Sequence, residues 1–225
     1  MASPVPCFDV PPYRLSGVVY SAQLNDPRQL LQLGDAVHQP PYKAPPVQPV
    51  LAVRPRNALA ADGQAIAVPA GGVRTGASLG LVVGRTACRL ALADAAAHIA
   101  GYLIANDLSL PLASHYRPAV RQMARDGFCP LGPAVVPAGA VSGPDDLAIT
   151  LLLDGQPAWQ GTSGGRVRSA ARLLCDVSAF MTLQPGDVLL LGISADAPLA
   201  RAGQAMAVAI AGLGMLHNTL VAEAA

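Results

Sequence analysis

Apolar and polar positions alternate along most of the regular stretches of this chain, and a helical recurrence is confined to a few. Period-two or compact branched apolar runs predict strands over residues 17–22, 50–53, 64–68, 79–83, 101–105, 147–153, 188–191 and 205–211. The last of these sets Met206, Val208 and Ile210 against alanines, which gives one face of small side chains. Helices are predicted over 27–37, 91–99 and 169–180. The first follows an Asn25-Asp26-Pro27 cap, with Leu30, Leu31, Leu33 and Val37 on or near its buried face. The second carries Asp94 in its first turn, and the third places Leu173, Leu174, Val177 and Phe180 on one face. Asp154-Gly155 marks a hairpin, and Leu183-Gln184-Pro185-Gly186-Asp187 a turn into a strand. Strands outnumber helices and do not alternate with them, so the pattern predicts a mainly β, mixed α+β fold.

Prolines organise the remainder. Pro4, Pro6, Pro11 and Pro12 predict an extended arm over residues 1–14, which leaves 15–225 as a single domain. With 225 residues, 52% of them hydrophobic, the chain can bury a substantial core. Only 13% are charged and the net charge is +1, which gives no basic patch for nucleic acid or an anionic membrane. Cys7, Cys88, Cys129 and Cys175 are dispersed and form no CxxC pair, so spacing offers neither a zinc site nor a disulfide framework. The N-terminus has no basic segment followed by an apolar one, and residues 205–216 are too short and too rich in glycine to span a bilayer. The reading is a soluble, cytoplasmic protein.

Polar chemistry concentrates in one stretch, GYLIANDLSLPLASHYRPAVRQMARDGFCPLGP, from 101 to 133. A strand-like run stops at Asn106-Asp107. A carboxylate at the end of a buried strand is hydrogen-bonded by backbone, ion-paired, or a metal ligand. Ser109, Ser114, His115, Tyr116, Arg117, Arg121 and Arg125 follow. Arg54-Pro55-Arg56, at another strand end, is suited to a bidentate carboxylate contact or to plain solvation. No Walker loop or HExxH motif occurs.

In order, LGLVVG (79–84), GYLIANDLS (101–109), YRP (116–118), RDGFCPLGP (125–133) and LQPGD (183–187) resemble the fumarylacetoacetate hydrolase superfamily. PYKAPP (41–46) and RPRN (54–57) narrow the resemblance to its branch of isomerase/decarboxylases of 4-hydroxyphenylacetate catabolism, on the side of the N-terminal half. The resemblance implies a β-roll or sandwich with a few peripheral helices, in an oligomer. It also implies a Mg²⁺ or Mn²⁺ site made by an ExE pair and the Asp of the ND pair, where a hard cation would chelate a 2-oxo acid and stabilise its enolate.

Asp107 stands at the third ligand position, but Gly76 and Ser78 stand at the other two. Gln29 and Gln32 replace an acid/base His–Glu dyad, Met123 a lysine, and Leu191-Gly192-Ile193-Ser194 a carboxylate-binding TGTP loop. The resemblance therefore implies a subunit with a degenerate metal site and no cofactor of its own. It would work beside a homologous, metal-bearing C-terminal-type subunit in decarboxylating 5-oxopent-3-ene-1,2,5-tricarboxylate and isomerising 2-hydroxyhepta-2,4-diene-1,7-dioate. Asp107, Tyr116 and His115 are the candidate catalytic groups, and Arg54, Arg117 and Arg125 the candidate substrate-binding ones. An arginine of the 117–125 segment is expected to pair with Asp107. Metal-independent ketonisation of a dienol and a purely structural role are the alternatives.

Overall fold

The computed structural model of the chain describes residues 17–112 and 114–224, so the arm predicted over 1–14 lies outside the described residues. Fourteen strands are described: β1 (Val19–Gln23), β2 (Val50–Arg54), β3 (Leu59–Ala60), β4 (Ala65–Val68), β5 (Val73–Arg74), β6 (Ala77–Val83), β7 (Ile99–Asn106), β8 (Cys129–Pro137), β9 (Ala148–Leu153), β10 (Gln156–Thr162), β11 (Val188–Leu190), β12 (Leu199–Ala200), β13 (Ala205–Ile210) and β14 (Gly214–Ala222). Helices α1 (Pro27–Leu33), α2 (Val120–Met123) and α3 (Ala170–Ser178) lie outside the sheets. This is the mainly β, mixed architecture that the pattern predicts. No helix among the described residues is long and apolar enough to cross a membrane.

Seven strands form a sheet in the order β2-β1-β11-β6-β7-β8-β3, and five another in the order β10-β9-β13-β14-β4. One core fills the space between them. It takes Leu79, Leu81 and Val83 from β6, Tyr102 and Ile104 from β7, Met206, Val208 and Ile210 from β13, and Leu173, Leu174 and Val177 from α3. The opposite face of the seven-stranded sheet closes over a second cluster, with Val19, Val82, Leu103, Ala105, Leu131, Val188 and Leu190. The sheet is curled, and residues 55–58 join its two edge strands β2 and β3. All seven residues of β6 are buried, which explains why its sequence is a continuous apolar run. The five-stranded sheet buries one face only, and β13 alternates accordingly. Inside the curl, Gly80 leaves room for two leucines: a Cβ there would lie 2.6 Å from Leu103 Cδ1 and 3.0 Å from Leu190 Cδ2.

Local signals hold at several points. The Asp26 carboxylate caps α1 by accepting from Arg28 N at 2.9 Å, and Pro27 follows. Ser169 caps α3. Asp154 and Gly155 both take positive φ, 51° and 77°, as a tight hairpin between β9 and β10 requires.

Elsewhere packing overrides the pattern. The first helix ends at Leu33 and continues as a 3-10 turn over Gly34–His38. It buries Gln29 and Val37, while Leu31 is 78% exposed. The second predicted helix is a 3-10 segment, Leu92–His98, because Ile99 already belongs to β7. Phe180 lies beyond α3 and is exposed. Strand β8 was not predicted, since its three prolines withhold N–H donors. Its register with β7 breaks between Tyr102 and Ile104, opposite the segment that contains Pro133.

Candidate active site at the mouth of the curled sheet

Register brings Val19, Ser21 and Gln23 of β1 to the concave face, because Val19 pairs with Val188 and Ser21 with Leu190, and both partners belong to the inner cluster. The same parity puts Ser78 of β6 beside Ala105 of β7, with Asp107 just past the end of β7. Asp107 and Arg54 are both completely buried and form an ion pair. Asp107 Oδ2 accepts the Ser21 hydroxyl, and Ser21 Oγ accepts Gln23 Nε2 at 2.9 Å. Asp107 Oδ1 has no hydrogen bond of good geometry, so the Arg54 Nη2 charge beside it is its partner. Backbone carbonyls hold the guanidinium in place: Nη2 donates to Leu108 O at 2.9 Å and Nη1 to Met123 O. The neighbouring Asn106 accepts from Gly76 N at 2.7 Å.

The expectation that Asp107 pairs with an arginine from residues 117–125 is therefore corrected: its partner is Arg54, from the edge strand β2. Arg54, the candidate substrate-binding group on β2, has its side chain sealed off from solvent within this pair. Arg125 pairs instead with Glu223 and lies over the Phe128 ring at 5.6 Å. Gly76, where the resemblance leads one to expect a carboxylate, is held tightly. A Cβ there would sit 2.2 Å from the Asp107 carbonyl oxygen and 2.7 Å from Ile193 Cγ2. Ser78 is wholly buried and donates to Leu79 O at 3.3 Å. No cluster of three His, Cys, Asp or Glu side chains suited to a metal occurs among the described residues.

A cleft of about 390 Å³ opens beside this pair. Its walls are Gln23, Val50 to Val53 of β2, and, beyond them, Leu112, Ser114 to Val120, Met123 and Ala124. His115, Tyr116 and Arg117 thus line one cleft, and Gln23 links it to Asp107 through Ser21. Tyr42 pins the segment. Its hydroxyl lies 2.9 Å from Ser114 Oγ and accepts from His115 N at 2.8 Å, and its ring meets Tyr116 edge-on at 5.9 Å. Burial, and secondarily the charge of Arg74, pull the His115 imidazole below its usual pKa and favour the neutral form. Burial pushes the Cys129 thiol far up and disfavours its thiolate. Sequence reasoning passed over Ser21, Gln23 and Tyr42. The signal available was a serine and a glutamine on the inward parity of a strand.

The chain matches the fumarylacetoacetate (FAA) hydrolase C-terminal family over residues 18–221. It belongs to the fumarylacetoacetate hydrolase family. Among curated relatives of this family, it is 40% identical over 210 residues to the 4-hydroxyphenylacetate degradation bifunctional isomerase/decarboxylase of Escherichia coli. That alignment covers 93% of this chain and 48% of the relative, so the chain spans about half the length of this and two further bifunctional isomerase/decarboxylases it matches. Among solved family structures, a 5-carboxymethyl-2-hydroxymuconate delta-isomerase from Mycobacterium smegmatis superposes with a TM-score of 0.78 at 27% identity, covering 94% of this chain and 81% of that one. A 2-hydroxyhepta-2,4-diene-1,7-dioate isomerase from Mycobacterium marinum gives 0.76 at 26% identity, with 94% and 77% covered.

Proposed function

We propose that this chain is a subunit of a 5-oxopent-3-ene-1,2,5-tricarboxylate decarboxylase/2-hydroxyhepta-2,4-diene-1,7-dioate isomerase and acts beside a homologous subunit that carries the Mg²⁺ or Mn²⁺. The single observation that carries this reading is the state of Asp107. It is buried, neutralised by Arg54 and flanked by Gly76 and Ser78 where the family's carboxylates stand. This donor set does not fit a hard divalent cation, which asks for several oxygen ligands. A carboxylate added at position 76 would also collide with the Asp107 backbone. The half-length match to the bifunctional relatives supports a partner of the same fold. In this reading the Arg54–Asp107 pair holds the segment from Leu108 to Met123 in place, and that segment shapes the assembled enzyme.

Two measurements test it. Calorimetric titration of the chain with Mn²⁺ should show no stoichiometric site tighter than about millimolar, the weak end of carboxylate sites. Co-expression with a metal-bearing homologue should yield a complex, seen by light scattering, whose decarboxylation exceeds that of the homologue alone. Two unchanged species and indifferent activity would remove the subunit reading.

A second reading is favoured by the cleft itself. His115, kept neutral by burial, stands with Tyr116 and Arg117 around one cavity, an arrangement suited to ketonising a dienol without metal. The enol O–H would lose a proton to one group while carbon gains a proton from another, with Arg117 holding a carboxylate of the substrate. Turnover by the isolated chain in excess chelator, abolished in His115→Ala, would establish it; absence of turnover would eliminate it.

A further inference from the structure

A second cleft, of about 320 Å³, lies between the start of α1 and β10 and shares no lining residue with the first. Asp26, Arg28, Trp159, Thr162, Arg166 and Ser194 wall it. Its charges are unevenly paired. Arg28 is fully engaged: Nη2 lies 2.8 Å from Asp26 Oδ2, and Nη1 lies 3.1 Å from Asp196 Oδ2. Asp196 also accepts Trp159 Nε1 at 2.9 Å, and Asp26 accepts Ala195 N at 2.9 Å.

Two further arginines reach the same loop, Arg166 from the wall of the cleft, and find only carbonyls. Arg74 Nη2 donates to Ser194 O at 3.1 Å and to Ala195 O at 2.6 Å. Arg166 Nη1 makes one long bond, 3.4 Å, to Ile193 O, and its buried Nε has no partner. Among the described residues neither arginine has a carboxylate within 4.0 Å. Three arginines against two aspartates leave the locus one positive charge in excess. Desolvation by burial lowers the pKa of both Arg74 and Arg166, with Asp26 and Asp196 opposing it only in part. A desolvated guanidinium with unused donors is a carboxylate receptor.

We propose that this cleft is a binding site for a small organic monocarboxylate, its oxygens held by the unused donors of Arg166 and its apolar part against the Trp159 ring. The charge count selects the valence. One negative charge neutralises the excess, whereas a phosphate dianion would bring a second against the carboxylates of Asp26 and Asp196. The volume, about ten waters at roughly 30 Å³ each, accommodates a short-chain acid.

Trp159 is the only tryptophan in the sequence, so its fluorescence reads this cleft alone. The experiment titrates the full chain with propionate, and separately with inorganic phosphate at pH 8, holding ionic strength constant with sodium chloride. The expected result is a saturable change with propionate, weaker or no binding of phosphate, and no response to chloride. Arg166→Gln should raise the dissociation constant roughly tenfold or more, the loss of a charged hydrogen-bonding partner. Arg166→Lys, which keeps the charge but not the fork, should fall between, and it preserves the test if the glutamine variant fails to fold. A non-saturable response, identical curves for wild type and Arg166→Lys, or tighter binding of phosphate than of propionate would each overturn the assignment.

Discussion

Beside the first cleft and within the second, an aspartate is held by an arginine, yet the two pairs differ in kind. Asp107 and Arg54 are both completely inaccessible, and the guanidinium is additionally fixed by the carbonyls of Leu108 and Met123. Asp26 is nearly as buried, but its partner Arg28 has a side chain 52% exposed and is shared with Asp196, itself 54% exposed. Coulomb attraction in a desolvated pair is strong, and so is the penalty when one member is left alone. Water and salt screen the second pair. The lesson is that the same two functional groups make a structural pin at one site and an adaptable polar rim at the other. Burial of the arginine decides which.

The sharpest way to break this contrast is to orphan one member of the buried pair. Arg54→Met or Asp107→Asn should each destabilise the fold by about 3–5 kcal/mol in urea denaturation. The double variant Arg54→Met/Asp107→Leu should recover most of that loss, because no uncompensated charge remains. Single variants within 1 kcal/mol of wild type would show that the pair pins nothing.

Ser21→Ala removes the hydroxyl that donates to Asp107 and should cost about 1–3 kcal/mol by the same measurement. A null result would mean that Arg54 alone satisfies the carboxylate.

At the other cleft the effects are smaller and depend on pH. Asp26→Ala should cost about 1 kcal/mol at neutral pH through the lost α1 cap. Burial pushes the Asp26 carboxyl up, but hydrogen bonds from the Arg28 side chain, Ala195 N and Arg28 N outweigh it, and the net shift is downward. A depressed folded-state pKa gives stability that is present above the unfolded carboxylate value, near 4, and is lost as pH falls through the folded one. The gap between wild type and Asp26→Ala should therefore narrow as pH is lowered from 5 towards 2.5, and a gap that stays constant would contradict the shift.

The least effect is expected at a pair that belongs to neither cleft. Arg125 and Glu223 are about a third exposed, so Arg125→Ala should change stability by less than about 1 kcal/mol. A larger loss would mean that burial of the arginine is not the deciding variable.

The sequence by itself determined whatever rests on local periodicity and backbone chemistry. Alternation fixes β13, the run 79–83 marks a strand buried on both faces, Asp154-Gly155 makes a hairpin, and Asp26-Pro27 starts a helix. The sequence also placed Asp107 at the end of a buried strand, without carboxylates at 76 and 78, and marked His115, Tyr116 and Arg117 in one polar stretch, which the structure sets along a cleft. Tertiary structure decided what depends on groups far apart in the chain. Arginines stand at 54, 117, 121 and 125, and no local rule says which of them reaches Asp107. The curl of the sheet does, because it carries β2 across the mouth and leaves Arg125 to Glu223. The same holds for β8, whose prolines hide a strand that its neighbours impose, and for Leu31, whose helix turns Gln29 inward instead. Periodicity records the environment of each residue averaged along an element. Pairing of charges and enclosure of cavities are set by contacts between elements, and those exist only once the sheets have closed.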